Sequence, residues 1–120
     1  MTEIKLGLVE GLFADLIWEN APMTTKSLVT LCQQELNWKR TTTYTVLKKL
    51  CNRGIFALED GLITVQISKD RFVALQSQQY IVDHFQGSLP AFLAAFTSCR
   101  TLSQKEIREI KELIDSFGEE

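Results

Sequence analysis

A mainly α-helical fold with one small β-hairpin is predicted by three observations. Apolar residues recur at helical spacing in three successive runs before Gly54, short β-prone runs then flank an Asp60-Gly61 pair, and three further amphipathic runs follow. Three helices followed by a hairpin make a winged helix-turn-helix domain, placed at residues 1–68, and the later runs make a helical region at 69–120.

The first helix is expected over Leu6 to Trp18, with Leu8, Val9, Leu12, Phe13, Leu16 and Ile17 on its apolar side, ending near Asn20 and Pro22. Thr24 or Thr25 can accept a backbone N–H as N-cap of a second helix, whose Leu28, Leu31 and Cys32 face inward until Leu36 and Asn37 end it. A short connection through Trp38 leads into the third helix. There Val46, Leu47 and Leu50 share one side, leaving Thr41, Thr42, Tyr44, Thr45 and Lys48 on the others, and Gly54 closes it in a left-handed conformation.

After Gly54 the period changes. Residues 55–58 and 62–67 read as strands, and Asp-Gly between them is the strongest short hairpin signal. Ser68 opens a fourth helix carrying Phe72, Leu75, Tyr80, Ile81 and Phe85, and Ser88 a fifth carrying Leu89, Phe92, Leu93 and Phe96. Ser103 and Glu106 have capping-box spacing and start a sixth with Ile107, Ile110, Leu113, Ile114 and Phe117 on one stripe. These last helices carry more apolar surface than a small winged domain can cover. An identical chain is the expected partner, with Phe85, Leu89, Phe92, Leu93, Phe96, Leu102, Ile107, Ile110, Leu113, Ile114 and Phe117 as the dimerisation surface.

Charge locates the candidate site. The net charge is -2, yet the stretch from Trp38 to Gly54 carries Lys39, Arg40, Lys48, Lys49 and Arg53 and no acidic residue. Residues 1–68 are balanced overall, and the acidic excess lies in 69–120, so the basic face is concentrated where a recognition helix would lie. Lys39, Arg40 and Lys48 are suited to phosphates, and Thr41, Thr42, Tyr44 and Thr45 to base edges or thymine methyls. The competing reading is a winged-helix protein-interaction module or anti-repressor, which the acidic Glu59-Asp60 tip and the low isoelectric point favour.

Other classes find little support. No nucleophile has a base beside it, no glycine loop could cradle phosphate, and the single histidine, His84, reads as a helix-surface residue, so no enzyme is expected. Cys32, Cys51 and Cys99 are odd in number and widely spaced, which argues against a disulfide framework or a metal site and for residues that fill helix faces. Glu106, Glu109, Glu112 and Asp115 read as a solvated helix face. No cofactor is expected. With no secretory leader and no membrane-span signal in the sequence, a cytoplasmic location is expected, with no membrane partner.

The runs LIWENAPMTTKSLV, WKRTTTYTVLKKLCNRGI, FQGSLPAFLAAF and LSQKEIREIKELI, in this order and spacing, resemble the penicillinase repressor family of winged-helix regulators across nearly the whole chain. The resemblance implies a homodimeric transcriptional repressor on a palindromic operator in double-stranded DNA. It maps DNA contacts onto Lys39, Arg40, Thr41, Thr42, Tyr44, Thr45 and Lys48, and the dimer interface onto the last helices. It also implies a sensor-linked protease as partner, acting at the bond between Ala95 and Phe96, although alanine stands here where the best-known members have asparagine. Two further departures concern the site: the hairpin tip is acidic, and Thr43 occupies a place usually held by a buried aliphatic residue. The C-terminal cysteine pair of the copper-responsive branch is missing from the final DSFGEE, so the resemblance carries no copper sensing to this chain.

Overall fold

The computed structural model describes residues 5–117; residues 1–4 and 118–120, at the ends of the two predicted segments, lie outside the described residues. Its order is α1 (Leu8–Asn20), β1 (Met23–Thr24), α2 (Thr25–Leu36), α3 (Arg40–Asn52), β2 (Phe56–Glu59), β3 (Leu62–Val65), α4 (Lys69–Phe85), α5 (Leu89–Cys99) and α6 (Gln104–Phe117). Six helices and a small antiparallel sheet therefore form a winged helix with C-terminal helices, as the sequence predicts. The chain divides into two compact units, one up to Ser77 and one from Gln78, with the division inside α4.

In the first unit the core gathers Phe13, Ala14 and Ile17 of α1, Leu28 and Cys32 of α2, Leu47 and Leu50 of α3, then Ile55, Phe56, Ile63 and Phe72. The expected apolar side of α1 is only partly used. Leu8 is 85 % exposed and Val9 and Leu12 are about half exposed, because α1 meets its neighbours along one narrow stripe that begins at Phe13. Trp18 packs against Phe56 and Phe72 with ring centroids 5.5 and 5.6 Å away, and its indole N–H donates to the Ile67 carbonyl at 3.0 Å.

Local chemistry sets the ends of the helices. Thr24 accepts the Ser27 N–H at 3.1 Å and caps α2, while Asn37 at φ 55° closes it. Gly54, at φ 82°, ends α3 in a Schellman motif: its N–H donates to the Cys51 carbonyl and the Ile55 N–H to the Leu50 carbonyl. Ser68 accepts the Arg71 N–H, Ser88 the Ala91 N–H, and Ser103 exchanges bonds reciprocally with Glu106.

The sheet has one strand more than the sequence predicts. Met23 and Thr24 pair with Ile63 and Leu62, giving the order β1-β3-β2. Two residues are too short to show alternation, so β1 has no sequence signature. Asp60 and Gly61, both with positive φ, make the two-residue turn that joins β2 to β3.

In the second unit no described residue is buried. Phe85 meets Phe92 edge-on at 5.6 Å and Phe92 meets Phe96 at 6.2 Å, while Arg100 lies over the Phe96 ring and makes a two-pronged bond to Glu106. These bonds hold the Glu106 carboxyl down at about 2. Glu106 is therefore an occupied member of the acidic face of α6. His84 is exposed, against Tyr80. The cysteines do not all fill helix faces as expected: Cys32 is buried, Cys51 half-buried and Cys99 exposed, because Cys99 ends α5 in a unit without an interior of its own.

Candidate nucleic-acid interface

The third helix is held from behind by apolar and satisfied polar contacts. Trp38, just ahead of it, stacks on Phe13 with centroids 5.3 Å apart and 25° between planes, while Leu47 and Leu50 enter the core. Thr43 is 1 % exposed, and its hydroxyl donates to the Lys39 carbonyl at 3.2 Å. The hydroxyl at this unusual position is thus paired within its own helix, which is why a polar residue is tolerated there. Nearby, burial pushes the Cys32 thiol up, a shift partly offset by the Thr43 hydroxyl.

This packing turns Lys39, Arg40, Thr41, Thr42, Thr45 and Lys48 outward, all exposed, with Tyr44 half-buried among them. Lys39, Arg40 and Lys48 make no ion pair among the described residues. The other two cations of the basic stretch point elsewhere. Lys49 Nζ lies 2.7 Å and Arg53 Nη1 3.7 Å from the carboxylate of Glu10 on α1, and Arg53 also donates to the Lys5 carbonyl at 3.0 Å. Glu10, held below the usual carboxylate range first by its bond to Lys49 and then by the Gly7 N–H, offsets one of the two positive charges on that side. The five cations of the stretch therefore divide: Lys39, Arg40 and Lys48, the three expected at phosphates, point outward, while Lys49 and Arg53 lie over α1.

The hydroxyls are also partly committed. Thr45 donates to the Thr41 carbonyl at 2.9 Å, which leaves it a methyl group and an acceptor to present. Arg40 lies over the Tyr44 ring, its guanidinium carbon 5.5 Å from the centroid. The Tyr44 phenol is drawn below its ordinary value, first by the side chain of Thr25 at the start of α2 and further by Arg40. Neither Thr25 nor Glu10 stands among the sequence-predicted site residues. Glu10 had a faint signal, three residues after Gly7 at capping spacing, whereas Thr25 had none, since its contact with Tyr44 exists only when α2 and α3 cross.

Electrically, the start of α3 is unlike the other helix ends. Its N-cap, Lys39, makes no side-chain capping bond, its first turn holds no acid, and its first residue is Arg40. Two cations at the positive end of a helix dipole are locally unfavourable by about 0.3–1 kcal/mol each. An anion placed there would relieve the repulsion and take up the free N–H groups. The hairpin offers no such attraction. Residues 55–67 contain Glu59 and Asp60 and no cation, and the Gly61 carbonyl accepts the Thr25 N–H at 3.0 Å, tying the turn to α2. Among the described residues no group of three or more His, Cys, Asp or Glu could hold a metal ion, and no helix is long and apolar enough to cross a membrane.

A helix-turn-helix whose second helix presents hydroxyls and unpaired cations, backed by a hairpin, defines a winged-helix DNA-binding regulator. The penicillinase repressor family model matches residues 6–116, nearly the whole chain, and the chain belongs to that family. Members are DNA-binding transcriptional repressors rather than enzymes. No curated protein matches the chain.

Proposed function

We propose that the chain is a homodimeric repressor that binds a palindromic operator in double-stranded DNA through Lys39, Arg40, Thr41, Thr42, Tyr44, Thr45 and Lys48. The observation that carries the reading is the start of α3, where Lys39 and Arg40 stand uncapped and without carboxylate partners at the positive end of a helix in a penicillinase repressor family chain. DNA supplies the missing negative charge. The winged domain, residues 1–68, carries the DNA contacts, and 69–120 carries dimerisation.

The dimer is supported by apolar surface without cover. Leu89, Phe96, Leu113, Ile114 and Phe117 are all exposed, Phe117 by 78 %, and Phe85, Phe92, Leu93, Leu102, Ile107 and Ile110 are only half-buried. A second copy covering them would carry two recognition helices to half-sites about one duplex turn apart, ~34 Å. Induction by a sensor-linked protease at Ala95-Phe96 would require α5 to open, since that bond lies inside the helix Leu89–Cys99.

The test is a gel shift of the full chain on its own upstream region at several salt concentrations, against a shuffled duplex of equal length. With two or three phosphates neutralised per subunit, log K against log salt falls with a slope of about -4 to -5 for a dimer, whereas five cations per subunit would give about -9. A specific shift with the shallower slope supports the reading. Absence of any preference at low salt overturns it in favour of a protein-interaction module.

A further inference from the structure

We infer that Arg40 reads a guanine in each operator half-site and that Tyr44 is the positioning residue that holds it there, an inference that rests on the DNA-binding reading above. Arg40 is the first residue of α3, exposed, with no carboxylate partner among the described residues. N-terminal residues of a recognition helix are those that meet base edges. The guanidinium lies over the Tyr44 ring at 5.5 Å. That contact restricts the long side chain before DNA arrives. The planar N–H fork of a guanidinium matches O6 and N7 of guanine in the major groove, which a residue at the start of the recognition helix can reach.

Tyr44 is half-buried, and Thr25, at the start of the neighbouring α2, donates its N–H to the Gly61 carbonyl in the hairpin turn at 3.0 Å. Lys39 and Lys48 have no such support among the described residues and remain phosphate contacts. The assignment exchanges two sequence-level roles: Arg40 moves from phosphate to base, and Tyr44 from base reader to support.

The experiment selects binding sites for the full-length chain from a randomised duplex library, in parallel for the native protein, Arg40→Ala, Arg40→Lys, Tyr44→Phe and Tyr44→Leu. The native chain is expected to enrich a two-fold motif with one guanine per half-site that Arg40→Ala no longer selects. Replacing that guanine by adenine should weaken native binding by roughly ten-fold to a hundred-fold. 7-Deazaguanine there, which lacks the N7 acceptor, should reproduce much of the loss, and Arg40→Ala should be indifferent to both changes. Arg40→Lys should keep binding but lose discrimination at that base pair. Tyr44→Phe retains the ring and should retain the preference; Tyr44→Leu should relax it at the same base pair while the preferences at the other operator base pairs remain.

Selection of the same guanine by Arg40→Ala, or an equal loss on every duplex, overturns the base-reading assignment. Relaxation by Tyr44→Leu at a different base pair overturns the positioning role. If the native chain itself enriches no motif, the failure belongs to the DNA-binding reading, and the inference falls with it.

Discussion

Replacing Glu10 by glutamine should destabilise the first unit by about 1–2 kcal/mol at neutral pH without altering how the protein engages DNA. Glutamine keeps the side-chain length and a carbonyl that can accept the Gly7 N–H, now held at 3.1 Å, so the change isolates charge. Two ion pairs are lost. The Lys49 pair is short, 2.7 Å, but the lysine side chain is 54 % exposed, and such a pair adds only about 0.2–1 kcal/mol. In the Arg53 pair, at 3.7 Å, the side chains are 14 % and 20 % exposed. Its Coulomb attraction is roughly 1 kcal/mol in water and about 4 kcal/mol at an effective dielectric constant of 20. Desolvation removes much of the larger figure, and Arg53 keeps its bond to the Lys5 carbonyl, so a net loss near 1 kcal/mol follows. For a chain of this size the melting temperature should fall by roughly 3–8 °C, compared at equal protein concentration.

The pH dependence has a defined sign. The folded Glu10 carboxyl lies below its ordinary value of 4.5, so its contribution is complete above that value and is lost as pH falls through the lowered one. Melting of Glu10→Gln and the native protein should therefore differ at pH 7 and converge in strong acid. Identical melting at pH 7, or a difference that persists in strong acid, refutes the electrostatic account. The salt slope of DNA binding supplies a second check. Lys49 and Arg53 lie on the α1 side, so removing the Glu10 charge should leave the slope unchanged; a slope steeper by about 2 or more would show that they reach phosphates after all.

Thr43→Val should change stability by less than about 1 kcal/mol in urea denaturation, because the Lys39 carbonyl keeps the Thr43 N–H at 3.1 Å; a loss above ~2 kcal/mol would show that the hydroxyl has a further structural role. Gly61→Ala should cost about 1 kcal/mol through its φ of 77° alone, since no atom lies within 4 Å of the added methyl carbon, and an unchanged midpoint would argue that the turn relaxes freely. If the chain dimerises as proposed, Ile114→Asp, at a side chain 53 % exposed in the single chain, should leave it monomeric in sedimentation equilibrium at micromolar concentration where the native protein is dimeric; a dimeric variant would remove α6 from the interface, and a monomeric native protein would remove the dimer.

Much of the architecture was legible because its signals are local. Helix starts at Thr24, Ser68, Ser88 and Ser103 follow from hydroxyls that cap the chain a few residues on, and Gly54 and the Asp60-Gly61 pair mark places where the backbone needs positive φ. The six apolar stripes carried the helices, and the acid-free run from Trp38 to Gly54 located the candidate interface. Each of these depends on residues within about one or two turns of one another, the range over which sequence spacing and spatial neighbourhood coincide.

What escaped the sequence depends on elements distant along the chain. The pairing of Met23 and Thr24 with β3, the exposure of Leu8 and Leu12, and the contact of Thr25 with Tyr44 follow from how elements cross. Helical spacing already set Lys48 apart from Lys49 in the sequence, but not that Lys49 pairs with Glu10 of α1. By itself the sequence determined the winged-helix class, the order of its parts and the family resemblance, since these are written in capping, turn and periodicity signals. Only the tertiary structure decided that Glu10 of α1 pairs with Lys49 and Arg53, because long side chains are committed by neighbours that folding brings together.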